Sequence, residues 1–268
     1  MDSQQTFLTT IRKSLGLPPT EERSKTTFPG LFRQTNKAEI LARIRQRTPQ
    51  ELDKLVGILL SNAKDLNISA SVVASRDEAA AAIVHLVKTK NLEFTPTKHV
   101  VHHDHPDLNA LQLWKCLEGE GVTIHTTFGP DRQLREKTIA SFIGITAPAI
   151  GVAESATIIQ LTKPGQPRST SLVPSIHIAV LDRKNLVADL AEAYALLKEM
   201  ALPDSFVCIS GPSKTADIEA TMVHGAHGPR ELHLLVLSPP TNEIAIDTGI
   251  PGTEEPVAFQ EEYLQCKK

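Results

Sequence analysis

The chain has 268 residues, 41% of them hydrophobic, with 28 Lys and Arg against 31 Asp and Glu for a formal net charge of −3. That length and apolar content are enough to bury a full core, as one domain or as one domain with an appendage. The near-balanced charge leaves no basic footprint for nucleic acid or an anionic membrane, so neither is an expected partner.

The first residues, MDSQQTFLTTIRKSLG, carry Asp2 early and lack an apolar signal segment, so the expected compartment is the cytoplasm. Phe7, Leu8, Ile11 and Leu15 follow helical spacing, which predicts a short amphipathic helix over Met1 to about Gly16. Pro18, Pro19 and Pro29 mark a linker. Helices are predicted over Lys37 to Arg47 and Thr48 to Leu66, the second capped by Thr48 with Pro49 at its first position. Residues 1–66 thus read as an N-terminal helical extension with a linker, expected to pack on a sheet edge or on another subunit.

From Ile68 strands and helices alternate. Strands are predicted at Ala70 to Ala74, Lys98 to His102, Gly121 to His125 and Phe142 to Thr146, with helices at Asp77 to Lys90, Leu108 to Leu117 and Asp131 to Ala140. Ser175 to Leu181 reads as a core strand, Asp189 to Met200 as a helix, and Phe206 to Ile209 and Leu232 to Leu237 as strands. This alternation implies βαβ units, hence an α/β three-layer sandwich with a mostly parallel sheet over residues 67–238. Residues 239–268 hold Pro and Gly without periodicity and read as a surface-draped tail. The most apolar window, Phe142 to Leu161, approaches the length of a membrane span. It holds Glu154, and an ionisable group at bilayer depth costs about 3 kcal/mol, so buried strand-turn-strand is the expectation there.

Two stretches carry candidate chemistry. In GVAESATIIQL, Gly151 to Leu161, apolar residues flank Glu154, and small residues after it make a tight turn ending at Thr157. A carboxylate desolvated at such a strand junction has a raised pKa suited to acid, base or nucleophile. A solvated turn glutamate is the plain alternative. In FVCISGPSKTADIEATMVHGAHGPRELHLLVL, Phe206 to Leu237, a strand runs into Ser210, Gly211 and Ser213, and a helix is predicted from Thr215 to Val223. Helical spacing places Thr215 and Glu219 on one stripe, and Asp217 in the first turn, where it complements the helix dipole. His224 and His227 follow in a loop with Gly225 and Gly228, whose backbone can approach a ligand closely. A phosphate-binding P-loop on Lys214 is rejected, because the pattern needs glycine where Cys208 and Ser213 stand.

Arg168 in the polar loop Lys163 to Ser171 suits a carboxylate or phosphate, and His177 is placed to reach the same pocket. These loops are expected at the carboxyl ends of the parallel strands, where α/β folds bind ligands. His102, His103 and His105 offer no fixed third ligand and read as a polar strand end. Cys116, Cys208 and Cys266 are far apart and form no C-x-x-C pair. No disulfide framework, metal site or self-contained iron–sulfur cluster is therefore expected, and no cofactor on the chain itself.

The run SGPSKTADIE followed by HGAHGP resembles the C-terminal signature of the LUD-domain family, whose type member is a lactate-utilisation protein C (LutC, YkgG-like). GITAPAIGVAESAT, Gly144 to Thr157, is similar to the family pattern GxTGxxxAIAETGT, and SLVPSIHIAVL, Ser171 to Leu181, to SLLPxxHIxVV. This chain departs in having Ser155-Ala156 for Thr-Gly and Ala149 where many relatives carry an acid. The resemblance implies a fold similar to the sugar-phosphate isomerase and CoA-transferase superfamily (NagB/RpiA/CoA transferase-like), in which a glutamate on such a turn can be catalytic. Glu154 aligns with the glutamate of that pattern and Arg168 with a family arginine, so the resemblance favours a catalytic role for Glu154. With the loop residues read above, the candidate catalytic groups are Glu154, Asp217 and His227, and the candidate ligand-binding residues are Thr157, Arg168, His177, Ser210, Gly211, Ser213, Thr215, Glu219, His224, Gly225 and Gly228. The resemblance further implies a LutABC-type system oxidising L-lactate to pyruvate, with LutA-like and LutB-like partner proteins carrying the iron–sulfur clusters. The alternative is an independent enzyme acting on a small acid, CoA thioester or sugar phosphate through Glu154.

Overall fold

The structure, a computed structural model, describes residues 3–16, 36–92, 97–128, 132–200, 205–218 and 221–239. The chain divides into two units, residues 1–45 and 46–268. The first contains α1 (Ser3–Ser14) and α2 (Lys37–Arg45), both where helical spacing predicts them. Phe7, Leu8, Ile11 and Leu15 are exposed. The linker prolines Pro18, Pro19 and Pro29, and all but the first residue of the expected tail at 239–268, lie outside the described residues.

The second unit opens with α3 (Pro49–Asp65). The Thr48 hydroxyl accepts from the Glu51 amide at 3.3 Å while the Glu51 carboxylate accepts from the Thr48 amide at 2.7 Å, so the expected cap is a reciprocal box. Then come β1 (Ile68–Val73), α4 (Arg76–Thr89), β2 (Lys98–His102), α5 (Pro106–Asn109), α6 (Leu113–Cys116), β3 (Val122–Thr126), α7 (Leu134–Ala140) and β4 (Ile143–Thr146). They are followed by β5 (Ile150–Val152), β6 (Thr157–Leu161), α8 (Ser169–Leu172), β7 (Ile176–Asp182), β8 (Leu186–Val187) and α9 (Leu190–Leu197). The unit closes with β9 (Phe206–Ile209), β10 (Lys214–Ile218), β11 (Thr221–His224) and β12 (Glu231–Leu237).

Six strands form one parallel sheet in the order β1-β12-β7-β4-β2-β3. Its central strands are buried on both faces, which is why β4 and β7 read as unbroken apolar runs. On one face, Ala79, Ile83 and Val87 of α4 and Leu108 and Leu113 of α5 and α6 pack on Val100, Ile143, Ile145, Ile178 and Val180. On the other, Leu55, Leu59 and Ala63 of α3, with Ala153, Ile158 and Leu186, pack on Ala179, Leu181, Leu232, Leu234 and Val236. The result is the expected α/β fold in three layers.

Part of the outer layer is a second sheet, β8-β5-β6-β9, in which β6 pairs antiparallel with both β5 and β9. Phe142 to Leu161 is therefore three strands in two sheets. Two predicted helices are corrected. Leu108 to Leu117 breaks into α5 and α6 because Gln112 adopts φ +47°, which an α-helix excludes. Thr215 to Val223 forms a β-hairpin, with Lys214 paired to His224 and Thr215 to Val223. The β-branched residues Thr215, Ile218, Thr221 and Val223 favour strands, and the Gly225 amide closes the hairpin base on the Ser213 carbonyl at 2.9 Å. The first-turn setting inferred for Asp217, and the helical stripe joining Thr215 to Glu219, therefore do not exist.

Between the layers, α8 lies flat on the parallel sheet. A Cβ on Gly144 of β4 would fall 1.9 Å from the Thr170 carbonyl oxygen and 3.0 Å from the Pro174 ring, so only glycine admits α8 at this depth. Gly144→Ala is expected to lower the unfolding free energy by about 1–3 kcal/mol, the usual range for overpacking a filled core. A urea midpoint equal to that of the parent protein would show that α8 is not held against this strand.

Candidate functional site

The turn between β5 and β6 carries Glu154. Ala153 and Ala156 on either side are fully buried, while the Glu154 side chain is exposed. The desolvated carboxylate expected here is thus corrected: the hairpin turns its two alanines into the core and its glutamate outward. Backbone bonds hold the turn, the Ala153 and Glu154 amides donating to Val187 and Ala188 carbonyls at 2.9 and 3.0 Å. From α3, Asn62 Nδ2 donates to the Ala153 and Glu154 carbonyls at 3.1 and 2.8 Å. Ala156, where the family pattern has glycine, sits at φ +43°.

A chain of hydroxyls joins this turn to the loop after β9. Ser155 Oγ meets Thr157 Oγ1 at 2.8 Å, and Thr157 Oγ1 meets Ser210 Oγ at 2.7 Å. Thr157 is buried and Ser210 exposed, so Thr157 positions the turn while Ser210 faces solvent. Gly211 follows at φ +126°, its α-carbon against the end of α3, where a Cβ would lie 2.9 Å from the Leu66 carbonyl oxygen. Lys214 Nζ donates to that same oxygen at 3.4 Å. Asn62 and Lys214 are residues whose place here the sequence did not mark, because each meets its partner across about 90 to 150 positions.

Ser213 anchors the glycine loop. Its amide donates to the Pro229 carbonyl at 2.8 Å, and its hydroxyl accepts from the His227 amide at 3.3 Å. Gly225 sits at φ +81°, and a Cβ there would also fall 2.0 Å from the Arg230 side chain, so both backbone and space favour glycine. The loop borders a cleft of about 440 Å³ lined by Leu172, Val173, His227, Gly228 and Arg230 among others, with His227 exposed. A second cleft of about 540 Å³, lined by Lys90, Phe142 and Glu231, shares Ser175 and Arg230 with it. Ser175 and Arg230 immediately precede β7 and β12, and the Arg230 amide donates to the Ser175 carbonyl at 2.8 Å. The glycine loop therefore lies at the amino ends of these parallel strands, which corrects the expected carboxyl-end placement.

A family model of the LUD domain matches residues 58–237. The chain belongs to the LUD-domain family. Among its relatives, a lactate utilization protein C of Shouchella clausii is 30% identical over 152 residues, covering 55% of this chain and 66% of that protein. One of Halalkalibacterium halodurans is 34% identical over 145 residues, covering 52% and 62%. A lactate utilization protein C 1 of Bacillus mycoides is 26% identical over 246 residues, covering 88% and 97%. The chain thus spans less than two thirds of the length of the first two relatives in these matches. A crystal structure of a DUF162 family protein from Deinococcus radiodurans has a TM-score of 0.43 at 18% identity, covering 76% of this chain and 99% of that one.

Other predicted positions in this LUD-domain chain separate from the glycine loop. Arg168 is exposed at the start of α8, next to Pro167, whose carbonyl accepts from His103 Nε2 at 3.1 Å. His103 directly follows β2, so Arg168 stands at the carboxyl end of the parallel sheet, opposite His227. His177 does not reach a cleft: it is sealed in the core, its Nε2 bonded to Thr146 Oγ1 at 2.8 Å. Asp217 and His224 lie on the hairpin with side chains outside the described residues, as is all of Glu219. Among the described residues no three His, Cys, Asp or Glu side chains gather to hold a metal ion. No described helix is long and apolar enough to cross a membrane.

Burial holds two histidines neutral. It pushes His177 down to about 3, aided by the charges of His103 and His233, and His103 down to about 4 against the opposing bond to the Pro167 carbonyl. An unfolded imidazole titrates near 6.5, so below that pH the unfolded chain takes up protons that the folded chain refuses. Stability from these two groups is complete above about pH 6.5 and falls as the pH drops toward 4 and then 3, by up to about 1.4 kcal/mol per pH unit for each. Urea midpoints taken from pH 7 to 5 should decline, and His177→Gln should flatten that decline whatever its effect on stability at pH 7. An unchanged slope would remove His177 from the acid response.

Proposed function

We propose that this chain is a subunit of an L-lactate utilisation system of the LutABC type, supporting oxidation of L-lactate to pyruvate beside LutA-like and LutB-like iron–sulfur proteins. The names of its LUD-domain relatives support a role in lactate utilisation. Oxidation of the 2-hydroxy acid releases two electrons and two protons. Three cysteines without cluster spacing suit a chain that leaves the electrons to its partners and handles substrate and protons. The observation that carries this reading is the exposed Glu154 side chain on a turn whose Ser155 hydroxyl is linked through Thr157 to that of Ser210. A carboxylate in reach of solvent can accept a substrate hydroxyl proton, and hydroxyls of either sense can turn to donate or accept.

The same exposure also suits a second reading, an independent enzyme of the isomerase and CoA-transferase-like superfamily in which Glu154 acts as a nucleophile. Growth separates the two. Deletion of the gene should impair growth on L-lactate and spare growth on pyruvate, and loss of growth on both would favour the second. Glu154→Gln keeps shape and hydrogen bonding but removes charge and proton, and should fail to restore growth on L-lactate while accumulating at the parent level. Wild-type growth of the deletion strain on L-lactate would refute the proposal.

A further inference from the structure

Two imidazoles away from the glycine loop face each other across β2 and β3. In the parallel register His99 stands opposite Thr123 and Val101 opposite His125, so the two histidines are diagonal neighbours. Val100 and Ile124 pack into the core that α4 covers, and side chains alternate along a strand, so His99 and His125 share the other face of the sheet. His99 Nδ1 and His125 Nε2 are 3.0 Å apart, with the rings 23° from parallel and their centroids 5.2 Å apart. Both rings are half-buried, which leaves an ion a way in. The other nitrogen of His99 is engaged, its Nε2 lying 2.9 Å from Thr97 Oγ1. With Nε2 donating to that hydroxyl, the Nδ1 lone pair faces His125, as the outer partner of a metal-bound histidine arranges it.

We infer that His99 Nδ1 and His125 Nε2 chelate a divalent transition-metal ion of tetragonal preference, Cu2+ first among them. At metal–nitrogen bonds of about 2.0–2.1 Å, two nitrogens 3.0 Å apart subtend about 90° at the metal. That is the angle between neighbouring ligands of a square-planar or octahedral ion, whereas a tetrahedral zinc centre separates its nitrogens by about 3.3 Å. Cu2+ also stands at the top of the affinity order of the first-row divalent ions. The ion takes the place of the hydrogen between the two nitrogens, and His125 then carries its own proton on Nδ1. Neighbouring strands about 4.8 Å apart hold both backbones in place, so binding has little order left to impose. Two protein nitrogens leave the remaining positions to water or a small exchangeable ligand, unlike a closed structural centre with four protein ligands. The site stands independently of the lactate reading above.

Copper titration of the full-length, untagged protein, read by calorimetry and by electron paramagnetic resonance, tests the assignment. The chain has 10 histidines, so single variants are needed to locate the ion. Wild-type protein should bind one Cu2+ per chain ahead of any weaker binding, with an axial spectrum split by two nitrogens. Thr97→Val should weaken that ion about tenfold, the usual effect of removing the group that orients a ligating histidine, and Thr97→Ser should restore it. His99→Ala and His125→Ala should each weaken it further and remove one nitrogen from the spectrum, while His85→Ala, exposed on α4, should change neither. Thr97 is exposed, so its variants keep the test decisive if a histidine variant fails to fold. Absence of one-to-one copper binding in wild-type protein, or affinity and spectrum unchanged in folded His99→Ala, His125→Ala or Thr97→Val, overturns the inference and makes any retained copper adventitious.

Discussion

The backbone of α8 touches the parallel sheet at a point where no side chain fits. Thr170 presents its carbonyl to Gly144, and much of the second unit follows from that contact. Lying flat, α8 covers His177, which shares its register with Gly144 on the next strand, and makes it one of the most deeply buried polar groups in the fold. The chain leaves α8 through Leu172 and Val173, which stay exposed on the cleft, and reaches Ser175, whose carbonyl fixes Arg230 and with it the exit of the glycine loop. One missing methyl group thus separates a sealed polar interior from an open cleft.

A second constraint is electrostatic and sits at the other end of α3. Arg47 forms a two-pronged pair with Glu192 at 2.8 and 2.9 Å, and Glu192 also accepts from the Ala188 amide at 2.7 Å. Glu192 is 1% exposed and Arg47 9%, a depth at which losing one partner costs about 3–5 kcal/mol because the other charge is left buried and unpaired. This pair locks the start of α3 to β8 and α9, while Arg183 reaches Asp53 at 2.6 Å one turn further along α3. Pinned in this way, the helix delivers its last turn to the Glu154 hairpin. The candidate site thus depends on ion pairs that take no part in it.

Strain is placed at the same hairpin. Ala156 occupies the left-handed region, which costs a residue with a Cβ about 1–2 kcal/mol, yet its methyl is fully buried in the core that α3 covers. Packing of that methyl offsets the backbone cost, and the turn holds Ser155 and Thr157 in line with Ser210.

Much of the fold was legible because local periodicity and burial agree. The cap at Thr48, the exact span of β2 and the double-sided burial of β4 and β7 each follow from residues close in sequence. The signature runs around Glu154 and from Ser210 to Gly228 likewise marked the two loops that the fold joins through Thr157 and Ser210. What the sequence could not decide was partnership across distance. The helix expected at Thr215 to Val223 is a hairpin, its β-branched residues paired across two strands and its base closed between Ser213 and Gly225, and β6 left the main sheet to pair with β5 and β9. His177 looked like a ligand until α8 closed over it, and Lys214 looked like a rejected phosphate lysine until the end of α3 arrived beside it. Periodicity reports which face of an element is buried, and only the packed chain decides what buries it, because carbonyls and hydroxyls take whichever partner the folded backbone brings within about 3 Å.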